Sequence, residues 1–155
     1  MTQVQVIECL EPNRIKVQMP AYLIEMNQYT GDAPDLTEYP YLDFYWQQPD
    51  RQPFLLTREQ TDCGFALVRK VSSGSEQPDY HTIAEFFVQP QHRRQEFGLQ
   101  AVAQLLGRRS GPWLIQVLND NLNALEFWQN SLSQVTGTDQ SPIPGPKYYD
   151  FSFNI

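Results

Sequence analysis

The stretch His81–Gln129, HTIAEFFVQPQHRRQEFGLQAVAQLLGRRSGPWLIQVLNDNLNALEFWQ, decides the fold of this chain. Its pattern is typical of a buried strand, a basic turn with one glycine, a helix, a second buried strand and a second helix. A basic turn that opens a helix suits a phosphate-bearing ligand, because backbone N–H groups and the helix dipole converge there. We therefore expect the function of the chain to be centred here.

Periodicity within this stretch predicts its helices and its second strand. Apolar residues at helical spacing predict a helix from about Gly98 to Leu106. The short apolar run Trp113–Leu118 is typical of a buried strand. Either Asp120 or Asn121 can N-cap a helix from Leu122 to about Leu132.

The chain upstream predicts an antiparallel meander that leads into this stretch. Residues 49–53 are predicted to form a turn. Phe54–Thr57 and Gly64–Val71 should then pair as a hairpin. The polar loop Ser72–Asp79 should lead into a third strand, Tyr80–Val88.

The two ends of the chain complete the predicted domain. An opening strand at Gln3–Cys9 precedes a helical segment, Arg14–Tyr29, which Pro20 should kink or restart. Near the other end, SPIPGP (141–146) is predicted to be a rigid connector, and Lys147–Phe153 a final strand. Residues 1–155 therefore predict one α/β (α+β) domain with a central mixed sheet.

Composition and charge argue against several classes of partner. The net charge of −7 argues against nucleic acid or an anionic membrane as the main partner. A negative charge would suit a cationic substrate, but solubility is the simpler explanation for it. No apolar run approaches the roughly 20 residues of a membrane span. Cys9 and Cys63 are not in a CxxC spacing and are expected to be reduced, buried thiols of a cytoplasmic protein. With only two histidines, His81 and His92, we expect no metal site.

The segment Leu36–Gln48, LTEYPYLDFYWQQ, is dense in aromatic residues and also carries two carboxylates. Its centre is predicted to be a short helix or turn lying on the sheet. Asp43, Tyr45 and Trp46 could form one wall of a substrate pocket that holds a cation. Ordinary core packing is the alternative, since aromatic residues dominate cores.

Three motifs in their observed order carry a resemblance to a known family. They are EFFVQPQHRR (85–94), GPW (111–113) and NLNALEFW (121–128). In this order the chain resembles the GNAT superfamily of acetyl-CoA-dependent N-acetyltransferases, and in particular a bacterial subgroup of predicted acetyltransferases. YLDFYW (41–46), RQPFLL (51–56) and CGFALV (63–68) fit the same subgroup, so the resemblance covers nearly the whole chain.

The resemblance implies a single domain in which about four helices flank a sheet with one splayed pair of strands. The pantetheine arm of acetyl-CoA would lie in the gap between these strands, and its pyrophosphate would lie on the basic turn. Backbone N–H groups and arginine side chains would bind the phosphates. The residues implied for cofactor binding are Phe86, Phe87, Val88, Arg93, Arg94, Gln95, Glu96, Phe97, Gly98, Leu99, Asn121 and Trp128.

Two positions depart from the family pattern. Glu96 stands where the family has the first glycine of the turn, and its side chain adds bulk and negative charge near the phosphates. Trp128 stands where many members have a tyrosine that acts as a general acid, a role that indole N–H cannot perform. Trp128 would instead be a pocket wall or a core residue.

The implied reaction is direct transfer of an acetyl group from acetyl-CoA to a primary amine of a small molecule or peptide. Glu85 is the first candidate for the general base, since burial within an apolar strand would raise its pKa. Pairing with an arginine or with backbone donors is the alternative role for Glu85. His81 and Asp43 are weaker candidates for the base, and Tyr148 or Tyr149 could be the acid.

Two hypotheses of different classes remain open from the sequence. The first is the N-acetyltransferase, which the completeness of the motif order favours. The second is a GNAT-fold binding or interaction protein with little or no turnover, which Glu96 and Trp128 favour. A homodimer is also possible, since many relatives of this fold pair through their C-terminal strands.

Overall fold

The computed structural model describes residues 3–74, 76–93 and 96–155, and seven strands in these ranges form one mixed sheet. The strands are β1 (Gln5–Glu8), β2 (Arg51–Arg58), β3 (Thr61–Val71), β4 (Tyr80–Val88), β5 (Pro112–Leu118), β6 (Ile143–Pro144) and β7 (Tyr148–Asn154). The α-helices are α1 (Asn13–Lys16), α2 (Met19–Asn27), α3 (Phe97–Gly107) and α4 (Leu122–Thr136). Two short 3-10 helices occupy Leu42–Trp46 and Pro90–His92.

Helices cover both faces of the sheet, whose strand order is β1-β2-β3-β4-β5-β7-β6. On one face, apolar residues of α3 and α4 pack against alternate residues of the central strands, such as Phe54 and Ala66. On the other face, Leu55 and Phe65 pack against α1, α2 and the first 3-10 helix. Because side chains of a strand alternate between faces, β2 and β3 form continuous buried runs.

A β-bulge in β4 sets which side chains face which layer. Leu67 pairs with Glu85 and Val68 pairs with Ile83, so Ala84 is the extra residue of the bulge. The bulge reverses the alternation, and Ile83 and Phe86 therefore both contact the core beneath α3 and α4. Glu85 consequently lies on the opposite face, toward α2.

The predicted splayed pair of strands is present between β4 and β5. These parallel strands pair only at His81 with Trp113 and at Thr82 with Leu114. Beyond these two pairs the strands separate, while β5 stays paired with β7 along its whole length. The fold class, a single mixed sheet with a splayed pair and four α-helices, is confirmed.

The meander and the two long helices are confirmed, whereas two proline-rich segments were predicted wrongly. The predicted turn at residues 49–53 is largely strand, because β2 begins at Arg51. Pro53 is tolerated near the start of β2, where its carbonyl accepts from the N–H of Cys9 at 2.9 Å. The predicted connector 141–146 contains β6, an edge strand, which is where proline is accommodated in a sheet.

Two further expectations concern the thiols and the membrane. Cys9 and Cys63 are free and buried, as predicted. None of the helices in the described ranges is long and apolar enough to cross a membrane.

Candidate active site

The gap between β4 and β5 opens into two adjoining cavities. The first, here called the α3 cavity, has a volume of about 630 Å³ and reaches Arg93 and Gly98 at the start of α3. The second, here called the β5 cavity, has a volume of about 350 Å³ and runs along residues 115–118. Phe86, Asn121 and Trp128 line both cavities, so the two are parts of one cleft.

The α3 cavity brings together seven of the residues predicted to bind the cofactor. They are Phe86, Phe87, Val88, Arg93, Gly98, Asn121 and Trp128. Because no described residue pairs with β4 on its β5 side beyond Thr82, this edge offers backbone N–H and C=O groups to a ligand. An extended chain carrying amide groups, such as a pantetheine arm, fits this edge.

Other predicted cofactor residues lie elsewhere. Phe97 is fully buried in the core and does not line the α3 cavity, because the first turn of α3 directs it beneath the helix against Arg58. Glu96 and Leu99 also lie outside the cavity lining. Arg94 and Gln95 fall outside the described residues.

Glu96 has a left-handed backbone conformation immediately before α3. Its φ and ψ are 58° and 14°, which a residue with a Cβ adopts at a cost of about 1–2 kcal/mol. Glycine adopts this conformation freely, so the position has the geometry of a glycine turn although its residue is a glutamate. The side chain of Glu96 is exposed.

Gly98 is required for contact between α3 and α4. A Cβ at this position would lie 2.5 Å from Cε1 of Phe127, far inside van der Waals contact. Phe127 in turn stacks on Phe86, with ring centroids 5.7 Å apart, and Trp128 meets Phe86 edge-on at 5.3 Å. The small size of Gly98 therefore positions an aromatic wall of the α3 cavity.

Arg93 contacts both β4 and α2 at the edge of the α3 cavity. Its Nε donates to the carbonyl of Val88 at 2.7 Å, and its Nη2 forms an ion pair with Glu25 of α2 at 2.8 Å. The guanidinium also lies 5.8 Å from the ring centroid of Phe87. Arg93, which was predicted to bind a phosphate, thus already pairs with the carboxylate of Glu25. An incoming anion would have to displace that carboxylate.

Asn121, one of the two residues predicted as the cap, is the N-cap of α4. Its Oδ1 accepts from the N–H of Ala124 at 3.1 Å, which satisfies one of the free donors of the first turn. Because the cap uses the oxygen, the amide nitrogen of Asn121 remains a donor for a group in the cleft.

The β5 cavity brings together Glu85 and Tyr148, the two predicted catalytic side chains. Two phenol groups donate to the carboxylate of Glu85, and neither was predicted as its partner. Tyr39 donates to Oε1 at 3.1 Å, and Tyr22 donates to Oε2. Glu85 is therefore paired with tyrosines rather than with an arginine or with backbone donors.

Burial raises the pKa of Glu85 to about 7, although the hydrogen bonds from Tyr22 and Tyr39 oppose this shift. Burial also raises the pKa of both tyrosines, and the neighbouring Glu85 charge adds to that increase. Tyr22 and Tyr39 consequently remain protonated donors, whereas Glu85 changes its charge near neutral pH. A carboxyl group of this pKa is suited to accept a proton at neutral pH.

The predicted substrate wall lies away from both cavities. Asp43 is exposed and forms an ion pair with Lys16 at 2.8 Å. Tyr45 is buried in the core, and the indole of Trp46 donates to the carbonyl of Cys9 at 2.9 Å. The first 3-10 helix turns these side chains toward α1 and β2, so in this segment only Tyr39 lines either cavity.

His81, the weaker candidate for the base, is also remote from the cleft. It lies at the paired end of β4, where its ring centroid is 5.4 Å from that of Trp113. Sequence reasoning missed Tyr22, Arg69 and Phe127 as lining residues, whereas Tyr39 lies in the Leu36–Gln48 segment that was interpreted as a pocket wall. The helical spacing of Tyr22 and the aromatic density around Tyr39 were signals, whereas Arg69 had none.

The structure is similar to those of several acetyltransferases. An acetyltransferase from Thermus thermophilus aligns with 14% identity and a TM-score of 0.71, over 99% of this chain and 97% of that one. A Bacillus subtilis acetyltransferase in complex with CoA aligns with 12% identity and a TM-score of 0.60, over 100% and 99%. An aminoglycoside acetyltransferase from an uncultured soil metagenomic sample, in complex with sisomicin, aligns with 15% identity and a TM-score of 0.58, over 83% and 86%.

Sequence comparison gives the family. No curated protein sequence matches this chain. At the identities above, the structural similarities establish the fold alone. The model of the acetyltransferase (GNAT) family, however, matches residues 19–132, which is well over half of the chain. The protein therefore belongs to the GNAT family of acetyltransferases.

Proposed function

We propose that this protein transfers an acetyl group from acetyl-CoA to a primary amine of a small molecule or peptide. The observation that carries the proposal is a half-buried carboxyl group, that of Glu85, which has a pKa of about 7 and lies beside an unpaired strand edge. Catalysis of amine acetylation needs a proton acceptor near neutral pH, and an unpaired edge suits an extended amide-bearing arm.

The α3 cavity is the proposed place of the cosubstrate. The backbone edge at Phe86 and Val88 would pair with the arm, and the amide nitrogen of Asn121 would donate to it. N–H groups at the start of α3, near Gly98, would receive the phosphates. Acetyl-CoA supplies the activated thioester. The CoA complex of the similar Bacillus subtilis structure supports this assignment.

The β5 cavity is the proposed place of the acceptor amine. Glu85 would accept a proton from the amine as the C–N bond forms at the acetyl carbonyl. As the C–S bond breaks, the hydroxyl of Tyr148 would donate a proton to the leaving thiolate. Tyr22 and Tyr39 would hold the carboxylate in position through their hydrogen bonds.

A second candidate function is acyl-CoA binding with little or no turnover. Trp128 favours it, because this residue lines both cavities and its indole cannot donate a proton to a thiolate. Tyr149, the other predicted acid, lines neither cavity, so this second function follows if Tyr148 is not the acid.

Two measurements separate these candidates. Thermal unfolding with and without millimolar acetyl-CoA tests binding, since a ligand of the folded state raises Tm by mass action. Release of free CoA thiol, measured over a panel of amines, tests turnover. A raised Tm with amine-dependent thiol release supports the enzyme. A raised Tm with no release for any amine supports the binding protein, and an unchanged Tm contradicts both.

Two further parts of the proposal concern location and assembly. The free buried thiols Cys9 and Cys63 suit a reducing compartment, which supports a cytoplasmic location. The homodimer stays a prediction, and sedimentation equilibrium over a hundredfold range of concentration measures it.

A further inference from the structure

Arg69 lines the β5 cavity and lacks an ion-pair partner among the described residues. Arg69 lies on β3, paired in register with Thr82 of β4, and its side chain forms part of the wall that also carries Glu85. The Nε atom of Arg69 is buried and has no hydrogen-bond partner among the residues that the structure describes. None of the four ion pairs found within the described ranges involves this guanidinium.

An uncompensated guanidinium in a partly buried site is unfavourable, and an anion supplied by a ligand would relieve it. Arginine presents five N–H donors in a planar fork, which matches the two oxygens of a carboxylate. A carboxylate is therefore the group that best complements Arg69. Other polar groups on the same wall are neutral, namely Thr82, Gln116 and Tyr148.

The charges around the β5 cavity agree with this assignment. Lys147 lies 5.4 Å from the ring centroid of Tyr148, which adds a second cation beside the cavity. The carboxylate of Asp150, on the neighbouring strand β7, accepts a hydrogen bond from Gln116 at 3.1 Å. Glu85, whose pKa is near neutral, lies on the Tyr22 and Tyr39 side.

The carboxylates that had suggested a cationic acceptor lie elsewhere. Asp43 pairs with Lys16 outside the cavity, and Glu38 is exposed and lines neither cavity. Among the described residues, the charged groups that line the β5 cavity are the guanidinium of Arg69 and the carboxyl of Glu85. Its volume of about 350 Å³ is at the small end of ligand pockets.

We propose that the acceptor is an amino carboxylate, such as an amino acid or a short peptide, whose carboxylate binds Arg69 while its amine faces Glu85. This inference rests on the proposed acetyl transfer and names its substrate class. A bidentate pair at this site would fix the orientation of the amine as well as contribute affinity.

The kinetic test compares free amino acids with their carboxamides as acceptors in the CoA-release assay. We expect kcat/KM for the amino acids to exceed that for the amides by at least about tenfold, the range for a hydrogen bond to a charged group. In Arg69→Met this preference should disappear, and in Arg69→Lys it should be partly retained. Lys70→Met is the matched control, since Lys70 is the exposed neighbour on β3 and does not line the β5 cavity.

Three outcomes distinguish the two proposals. Equal use of acids and amides, with the amines still acetylated, overturns the carboxylate assignment and leaves acetyl transfer intact. If no amine is acetylated, the Tm shift given by N-acetyl amino acids, compared with their amides, decides the assignment. A larger Tm shift with the N-acetyl amino acids than with their amides, if it disappears in Arg69→Met, supports the carboxylate assignment. Equal Tm shifts overturn that assignment.

Arg69→Met could also weaken the fold. The Tm of this variant without ligand measures that effect directly and separates it from a loss of binding. If the variant unfolds, Arg69→Lys carries the same comparison, since it keeps the charge and loses only the planar fork.

Discussion

Tyr39 donates a hydrogen bond of 3.1 Å to Oε1 of Glu85, although 46 residues separate them in the chain. Tyr39 belongs to the aromatic segment before β2, and Glu85 follows the bulge in β4. Together with the hydrogen bond from Tyr22, this contact satisfies both oxygens of a half-buried carboxyl group. Its pKa near 7 therefore reflects burial that two phenol donors only partly offset.

Replacing Glu85 by Gln should lower kcat by about 10²–10⁴-fold, because the amide cannot accept the proton of the amine. The affinity for acetyl-CoA should stay within about twofold, since the side chain lines the β5 cavity and not the α3 cavity. Steady-state kinetics and calorimetric titration measure the two quantities. Glu126→Gln, on an exposed position of α4, is the control. Unchanged kcat in Glu85→Gln would exclude the carboxylate as the base.

The pH dependence of kcat/KM should show a rising limb with its midpoint near 7, because Glu85 acts as a base only when deprotonated. Tyr39→Phe removes a donor that lowers this pKa, so its midpoint should move to higher pH. Tyr41→Phe, in the same segment but exposed, should leave the profile unchanged. A midpoint that stays in place in Tyr39→Phe would mean that another group titrates.

The same carboxyl should make the stability of the protein depend on pH. Its folded pKa of about 7 exceeds the unfolded value of 4.5, so its stabilising contribution is present below pH 4.5 and lost as pH rises toward 7. Relative to Glu85→Gln, the wild type should lose up to about 3 kcal/mol across this window. Urea unfolding at pH 4, 6 and 8 measures the difference. A constant difference would show that the pKa is not raised.

Replacing Glu96 by Gly should increase stability by up to about 1 kcal/mol, because strain at φ 58° is relieved while glycine adds entropy to the unfolded chain. CoA affinity should also rise, since a carboxylate leaves the turn. Glu96→Ala separates the effects, because it removes the charge and keeps the strain. Urea unfolding and calorimetry measure both. A lower affinity for CoA in Glu96→Gly would refute this picture of the turn.

Replacing Gly98 by Ala should destabilise the protein by about 1–3 kcal/mol, because the new Cβ meets Phe127 at 2.5 Å. Gly107→Ala, in the same helix with nothing within 4 Å, should instead be neutral or stabilising. The double variant Gly98→Ala with Phe127→Leu should recover part of the loss. Chemical denaturation of these variants and the wild type tests this, and purely additive effects would argue against the contact.

Much of the fold could be predicted because its signals are local. Alternation and apolar runs located β4 at Tyr80–Val88 to the residue, and the cap of α4, Asn121, was one of the two residues predicted for it. The two wrong predictions of secondary structure concern the segments of Pro53 and Pro144. Both prolines occupy strand positions where a missing N–H is tolerated. Whether a proline ends a strand depends on its neighbours in the sheet.

The site was predictable only in part. The lining residues along β4 and at the start of α4 could be predicted, because the sequence defines both of these elements. Phe97, Tyr45 and Trp46 instead turn into the core, since the direction of a side chain follows from the packing of its helix. Arg69 reaches the cleft through strand register, which no local pattern encodes, whereas Tyr39 lies in an aromatic segment and reaches the cleft through the path of its loop.

By itself, the sequence determined the family and most of the order of strands and helices, because periodicity, capping and motif order are properties of neighbouring residues. Only the tertiary structure decided what the stretch His81–Gln129 faces. The bulge at Ala84 turns Glu85 toward two tyrosines, and Gly98 admits the ring of Phe127. Arg69, with no ion-pair partner in the described part of the chain, lies in the same cavity as Glu85. These relationships arise from contacts between residues far apart in the chain, and packing alone establishes them.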